Sequence, residues 1–122
     1  MIITLSYPPK ILSPNALPHW GTLAAAKKNY RAEALTAAYV AKMHSEAEGP
    51  WPWPAATVKA VFYCKSNRNR DGDNALASLK AAIDGIASAG IVANDSRFIH
   101  LPAEFQIDKA RPRVEIFLTK VR

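Results

Sequence analysis

Three consecutive segments decide the fold, and they read ATVKAVFYC (56–64), KSNRNRDGD (65–73) and NALASLKAAIDGIASA (74–89). The first segment alternates apolar and more polar residues, which predicts a strand with one buried face. The second is polar and rich in turn-forming residues, so it predicts a loop. The third predicts a helix, because its large apolar residues recur at helical spacing. These residues are Leu76, Leu79, Ile83 and Ile86.

The flanking sequence adds three strands and a longer helix. Strands are predicted at 2–7, 97–106 and 113–121, and an Ala-rich helix is predicted from about Thr22, its N-cap, to Ser45. The element order is therefore β-α-β-α-β-β. This order predicts one α/β (α+β) domain over residues 1–122, with two helices packed on a mixed sheet.

Composition narrows the possible classes of protein. The 122 residues include 16 Lys plus Arg against 10 Asp plus Glu, a formal net charge of +6, and 49% are apolar. That apolar fraction is too high for a disordered chain. A single cysteine, Cys64, excludes a disulfide framework or a Cys-rich zinc site and favours a reducing, cytoplasmic compartment. We expect neither a membrane span nor a signal peptide. The positive charge indicates a polyanionic partner, which nucleic acid, an anionic membrane or an acidic protein could provide.

Acidic residues are concentrated in one part of the chain. Four of the ten lie between positions 71 and 95, and they are Asp71, Asp73, Asp84 and Asp95. In an extended segment Asp71 and Asp73 point to the same side, where two carboxylates repel each other unless a cation intervenes. This pattern suits a hard cation such as Mg²⁺. The alternative is that the pair caps a helix and interacts with its N-terminal dipole.

Helical spacing adds a lysine to the acidic residues. On one continuous helix, Asp73, Lys80 and Asp84 would lie nearly in line, on a flank next to the apolar stripe. Lys80 and Asp84 are also placed for an ordinary ion pair four residues apart. Asp95 follows the predicted helix end by a few residues, and spacing alone leaves its direction open.

Several short motifs occur together and in a fixed order. They are PP (8–9), SPN (13–15), HW (19–20), DGDN (71–74), KAAID (80–84) and GIVAND (90–95). In this combination the chain resembles the RusA family of Holliday-junction resolvases, and its phage-encoded branch most closely. The resemblance covers residues from about Tyr7 to Asp95.

The resemblance implies a small homodimeric endonuclease that cuts four-way branched DNA with Mg²⁺ or Mn²⁺, in the cytoplasm of a bacterial host or as a phage product. By motif, Asp71, Asp73 and Asp95 match the family's catalytic, metal-binding aspartates. Lys80 matches its catalytic lysine and Arg70 a basic position beside the active site. Asn94 stands where some members carry a further aspartate.

Basic residues would hold the DNA backbone around this acidic site. Lys65, Arg68 and Arg97 join Arg70 near the acidic span, and a second group lies on the first helix. This second group, the α1 basic group, consists of Lys27, Lys28 and Arg31. A two-fold dimer would match the symmetry of a four-way junction. The first helix and the Trp-Pro segment (51–54) are both candidate dimer surfaces.

Two other functions remain open from the sequence. The chain could be a catalytically silent basic DNA-binding module, or a small interaction protein whose charge serves solubility or an acidic partner. Convergence of Asp71, Asp73 and Asp95 in space would favour the enzyme. If the protein showed no preference for branched over linear duplex DNA, the small interaction protein would be favoured.

Overall fold

A long strand, β2 (Ala55–Cys64), forms the middle of the sheet because its alternating apolar residues face the helices. The computed structural model describes residues 1–14, 16, 19–67 and 72–121. In these ranges β2 pairs antiparallel with β5 (Arg113–Val121), which pairs antiparallel with β1 (Ile2–Ser6). On its other side β2 pairs in parallel with β3 (Phe98–His100) and β4 (Glu104–Ile107). The predicted single-domain α+β fold with a mixed sheet is confirmed.

The edge strand departs from the sequence prediction. One strand was expected over 97–106, but β3 and β4 are separate, and Arg97 lies in a 3₁₀ turn before them. Val58 is opposite His100 whereas Val61 is opposite Glu104, so three residues of the edge (101–103) face two of β2. The interruption contains Pro102, which has no backbone N–H to donate to a neighbouring strand.

The second predicted helix is also divided, into α2 (Gly72–Ala77) and α3 (Lys80–Ser88). The Ser78 hydroxyl donates to the Ala75 carbonyl at 2.6 Å, and the Leu79 amide donates to the Leu76 carbonyl at 3.0 Å. These bonds span three residues, so they tighten the chain into a turn. The turn also directs Leu79 into the core, where it is 1% exposed. The prediction of one continuous helix carrying Asp73 and Lys80 was therefore wrong.

The first helix, α1 (Trp20–Met43), begins two residues earlier than expected. His19, rather than Thr22, is its N-cap, because the His19 Nδ1 accepts a hydrogen bond from the Gly21 amide at 3.2 Å. Tyr30, Ala34 and Ala38 form its buried face. Burial and the nearby Glu33 raise the pKa of Tyr30, whose hydroxyl donates to the Ser6 carbonyl at 2.8 Å.

Small residues let α1 and α3 pack closely on the same face of the sheet. Ala34 and Ala38 of α1 and Ala82 of α3 are fully buried. At Gly85 a Cβ atom would overlap the Arg31 carbonyl oxygen and lie 3.2 Å from the Leu35 amide nitrogen. The absence of a side chain at Gly85 therefore sets the separation of the two helices, and with it the position of the α1 basic group relative to α3.

The Trp-Pro segment contributes to the core. Trp53 is 3% exposed, its Nε1 donates to the Glu48 carbonyl at 2.8 Å, and its amide donates to the Ile91 carbonyl at 2.7 Å. Trp51 is partly buried against Trp53 and beneath the Lys42 ammonium. Across the ranges that the structure describes, none of the helices is long and apolar enough to cross a membrane.

Candidate functional site

Lys80 is the centre of the candidate site, and the turn between α2 and α3 puts it at the first position of α3. Its Nζ donates to Asp84 Oδ1 at 2.7 Å and to Asp95 Oδ2 at 3.2 Å. Asp84 is one helical turn further along α3. Asp95 reaches Lys80 from the 3₁₀ turn Asp95–Arg97, which follows the end of α3. We call these three residues the Lys80 cluster.

Hydrogen bonds in the Lys80 cluster favour the charged forms of Lys80 and Asp95. The hydrogen bond to Asp84, followed by that to Asp95, raises the pKa of Lys80. The hydrogen bond from Lys80 lowers the pKa of Asp95. Both side chains remain accessible, at 67% and 50% exposure. The cluster is therefore an open, charge-paired site in which an ammonium group already compensates carboxylates.

Asn94 holds the turn that presents Asp95. Its side-chain oxygen accepts hydrogen bonds from the Ser96 amide, at 3.0 Å, and from the Ser96 hydroxyl. The sequence interpretation treated Asn94 as a missing aspartate and overlooked this capping role. The signal was present, because an Asn side chain commonly accepts a hydrogen bond from the backbone amide two residues further along.

A groove of about 590 Å³ joins Lys80 and Asp84 to the α1 basic group, whereas Asp95 lines an adjacent cavity together with Arg31, Lys80 and Asp84. The walls of the groove come from the loop after β1, from α1 and from the α2–α3 region. Lys27, Lys28 and Arg31 line it together with Lys80 and Asp84. The sequence placed the α1 basic group apart from the acidic span, and the structure brings the two onto one surface.

A side-chain bridge across the helices fixes one cation of this groove. Arg31 Nη2 donates to the Ser88 hydroxyl at 2.7 Å, and that hydroxyl donates to the Asp84 carbonyl at 3.0 Å. Arg31 is thus oriented by the same turn of α3 that carries Asp84. The sequence interpretation missed Ser88, whose spacing of four residues from Asp84 is compatible with such a backbone bond.

The other predicted site residues are less closely connected to the cluster. Asp73 is exposed in the first turn of α2, and Arg97 is exposed two residues after Asp95. Lys65 lines a different cavity, together with Tyr7 and Lys10. Asp71, Arg68 and Arg70 lie outside the described residues. For the part of the chain that is described, no three His, Cys, Asp or Glu residues form a group that could hold a metal ion.

Comparison with known proteins adds no assignment. The chain matches no protein-family model, and no curated protein matches it. Its similarity to the RusA resolvases therefore stays an interpretation of the motifs.

Proposed function

We propose that the protein is a Mg²⁺-dependent, structure-selective DNA endonuclease that resolves four-way junctions as a homodimer. The observation that carries the proposal is that Lys80 and Asp84 lie on the groove lined by the α1 basic group, with Asp95 hydrogen-bonded to Lys80 in the adjacent cavity. Basic side chains that can bind phosphate, together with carboxylates beside a charged lysine, form a combination suited to metal-assisted phosphodiester hydrolysis.

The chemistry of the carboxylates is compatible with the proposed metal. Asp73 and Asp95 are exposed and offer the hard oxygen ligands that Mg²⁺ prefers, and Mg²⁺ typically uses one or two carboxylates with several waters. In the proposal Asp71, Asp73 and Asp95 hold the ion. When bound, it would supply an activated water and stabilise the leaving oxygen.

Each described residue then has a defined task. Lys80 stabilises the negative charge that develops on the phosphoryl oxygens while the P–O3′ bond breaks and the water oxygen joins phosphorus. Asp84 holds the Lys80 ammonium in place through the 2.7 Å contact. Lys27, Lys28 and Arg31 bind neighbouring phosphates, which orients the strand without reading its bases.

Cleavage of a synthetic four-way junction tests the proposal, with and without Mg²⁺ and beside a linear duplex of the same sequence. We expect Mg²⁺-dependent paired cuts in the junction. Asp73→Asn should abolish cleavage and retain junction binding. Glu46→Gln is the matched control, since it also converts an exposed carboxylate to an amide but lies in the 3₁₀ turn after α1. Undiminished cleavage by Asp73→Asn would refute the metal-binding role.

One observation favours a second candidate, the catalytically silent DNA-binding module. Within the described ranges no three-carboxylate group is found, and Lys80 already compensates Asp95. Such a module would bind DNA with a steep salt dependence and would cut neither substrate with any divalent cation. A protein without preference for the junction at moderate salt would instead indicate a partner other than branched DNA.

A further inference from the structure

The cavity beside the groove is lined by cations as well as carboxylates. It has a volume of about 460 Å³ and shares Arg31, Lys80 and Asp84 with the groove. We call it the Asp95 cavity. Its polar lining residues come from α1, from α3 and from the segment after α3, and they are Arg31, Lys80, Asp84, Ser88, Asn94 and Asp95. A polar cavity with two cations beside the proposed reaction centre is suited to an anionic group of the substrate.

Arg31 occupies a different position from the two lysines of the α1 basic group. Lys27 and Lys28 line the groove, whereas Arg31 lines both the groove and the Asp95 cavity. The Arg31 Nη2 is fixed by its bond to the Ser88 hydroxyl at 2.7 Å. A guanidinium group has five N–H donors, so one such bond leaves other donors for a ligand. Arg31 is thus held in place at the cavity and can still donate to an anion.

The charge of Arg31 is also available to an anion. The Lys80 ammonium is bonded to two carboxylates, those of Asp84 and Asp95. Arg31 is bonded instead to a neutral hydroxyl, and among the ion pairs of the described residues none includes Arg31. An arginine fixed in this way suits a phosphate group, whose oxygens match the planar fork of the guanidinium.

The two cations are held about one helical turn apart. Lys80, Asp84 and Ser88 follow each other at steps of four, so they lie along one side of α3. Lys80 is bonded to the side chain of Asp84 and Arg31 to that of Ser88, two positions separated by about 6 Å along the helix axis. A phosphate group that accepts a charge-assisted hydrogen bond of about 2.8 Å on each side spans such a gap.

We infer that the scissile phosphate lies in the Asp95 cavity between Lys80 and Arg31, and that Arg31 is a catalytic residue which Ser88 positions. The inference rests on the proposed function. It gives Arg31 a second task besides its contact with a neighbouring phosphate, because this side chain lies where the groove and the cavity meet. Lys27 and Lys28 keep their single task on the groove.

The hydrolysis needs no proton from Arg31. The water oxygen forms a bond to phosphorus while the P–O3′ bond breaks and its electron pair stays on O3′. The water gives up a proton and O3′ takes one, so the products are a 3′-hydroxyl and a 5′-phosphate. Arg31 donates to one nonbridging oxygen and Lys80 to the other, which stabilises their negative charge in the transition state. Asp84 connects the two cations, because its carboxylate holds Lys80 and its carbonyl holds the Ser88 hydroxyl.

Single-turnover cleavage of the four-way junction, with Mg²⁺ and with the protein in saturating excess, tests the inference. This measurement gives the rate of the cleavage step apart from binding. Arg31→Gln should slow the step by about 100-fold or more, as expected for the loss of a donor to transition-state oxygens. Arg111→Gln is the matched control, since it makes the same change at an exposed arginine just before β5, and it should cut at the wild-type rate.

Arg31→Lys separates the shape of the guanidinium from its charge. Lysine keeps the positive charge, so the junction affinity, measured by fluorescence anisotropy without Mg²⁺, should stay within about three-fold of the wild type. It lacks the planar fork, so the single-turnover rate should still fall by about 10-fold or more. Millimolar guanidinium chloride should restore part of the rate to Arg31→Ala and none to Lys80→Met.

Ser88 has its own test as a positioning residue. Ser88→Ala should lower the single-turnover rate by about 10-fold, because the guanidinium loses its orientation, and should leave the junction affinity unchanged, because the charge remains. Ser88→Thr keeps the hydroxyl and should cut at close to the wild-type rate. If Ser88→Ala cuts like the wild type, Ser88 does not position Arg31.

The outcomes distinguish this inference from the proposed function. If the wild type cuts the junction and either Arg31→Gln or Arg31→Lys cuts at the same saturated rate, the inference is wrong and the proposed function is retained. A wild type that cuts no junction overturns the proposed function and this inference with it. Circular dichroism establishes that each variant is folded, and Arg31→Lys decides the matter if Arg31→Gln is not.

Discussion

Replacing Gly85 with alanine should destabilise the protein and loosen the groove. The new Cβ would overlap the Arg31 carbonyl oxygen, which belongs to the backbone and cannot rotate away. The neighbouring Leu35 amide nitrogen, 3.2 Å from that Cβ, is also backbone. Helix α1 therefore has to move away from α3, and the 2.7 Å bond from Arg31 to Ser88 must stretch or break.

The size of the effect follows from two opposing terms. Overpacking a well-packed contact costs about 1–3 kcal/mol. Replacing glycine by alanine inside a helix stabilises the folded state by up to about 1 kcal/mol. We therefore expect a net loss of about 1–2 kcal/mol in the free energy of unfolding. For a domain of this length the loss corresponds to a fall of about 3–8 °C in Tm.

Urea unfolding followed by circular dichroism measures this free energy, and Gly72→Ala provides the control. A Cβ at Gly72 would have nothing within 4 Å, so the same substitution there should be neutral or stabilising by up to about 1 kcal/mol. If Gly85→Ala were as stable as Gly72→Ala, the close approach of α1 and α3 would not be the constraint described above.

Three more predictions follow from contacts elsewhere in the molecule. In Lys80→Met the pKa of Asp95 should return upwards towards 3.8, as measured by NMR titration of the carboxyl carbon. Because Lys80 lowers that pKa, the ion pair contributes at neutral pH and is lost as the pH falls through the folded-state pKa, below 3.8. An unchanged titration would mean that the contact does not persist in solution.

Changing all three residues of the α1 basic group to glutamine should reduce the slope of log affinity for duplex DNA against log salt by about 2–3, since each phosphate contact contributes about 0.9. An unaltered slope would remove this group from the DNA surface. Trp53→Ala should cost about 3–5 kcal/mol in unfolding free energy, because the side chain is buried and hydrogen-bonded. Unfolding near the wild-type midpoint would contradict its place in the core.

Local patterns explain which elements could be predicted from the sequence. The alternation in 56–64 belongs to one strand, and the buried residues follow that alternation except at Val61, which is buried as well. The division between α2 and α3 was missed because Leu76, Leu79, Ile83 and Ile86 keep a helical period across it. The local signal was Ser78, whose hydroxyl bonds to the backbone at the break. Whether the helix breaks there also depends on the burial of Leu79 in the core, which is a property of tertiary packing.

The contacts of the candidate site could likewise be predicted only in part. Lys80 and Asp84 could be paired from their spacing, since both lie within one turn of helix. The approach of Asp95 depends on the turn after α3, and that of Arg31 on the packing of α1, so neither was readable from spacing. Asp71 lies outside the described residues, and its predicted role stays a prediction.

The interrupted edge of the sheet has a consequence for solubility. Ile99, Phe105 and Ile107 are exposed along β3 and β4, and an uninterrupted strand with such side chains would be a template for pairing with other chains. Pro102 and the extra residue opposite β2 divide that template into pieces of three and four residues. The Lys59–Glu104 ion pair, at 2.9 Å, places charge at its middle. The irregular edge thus offers another chain only short segments for β-sheet pairing.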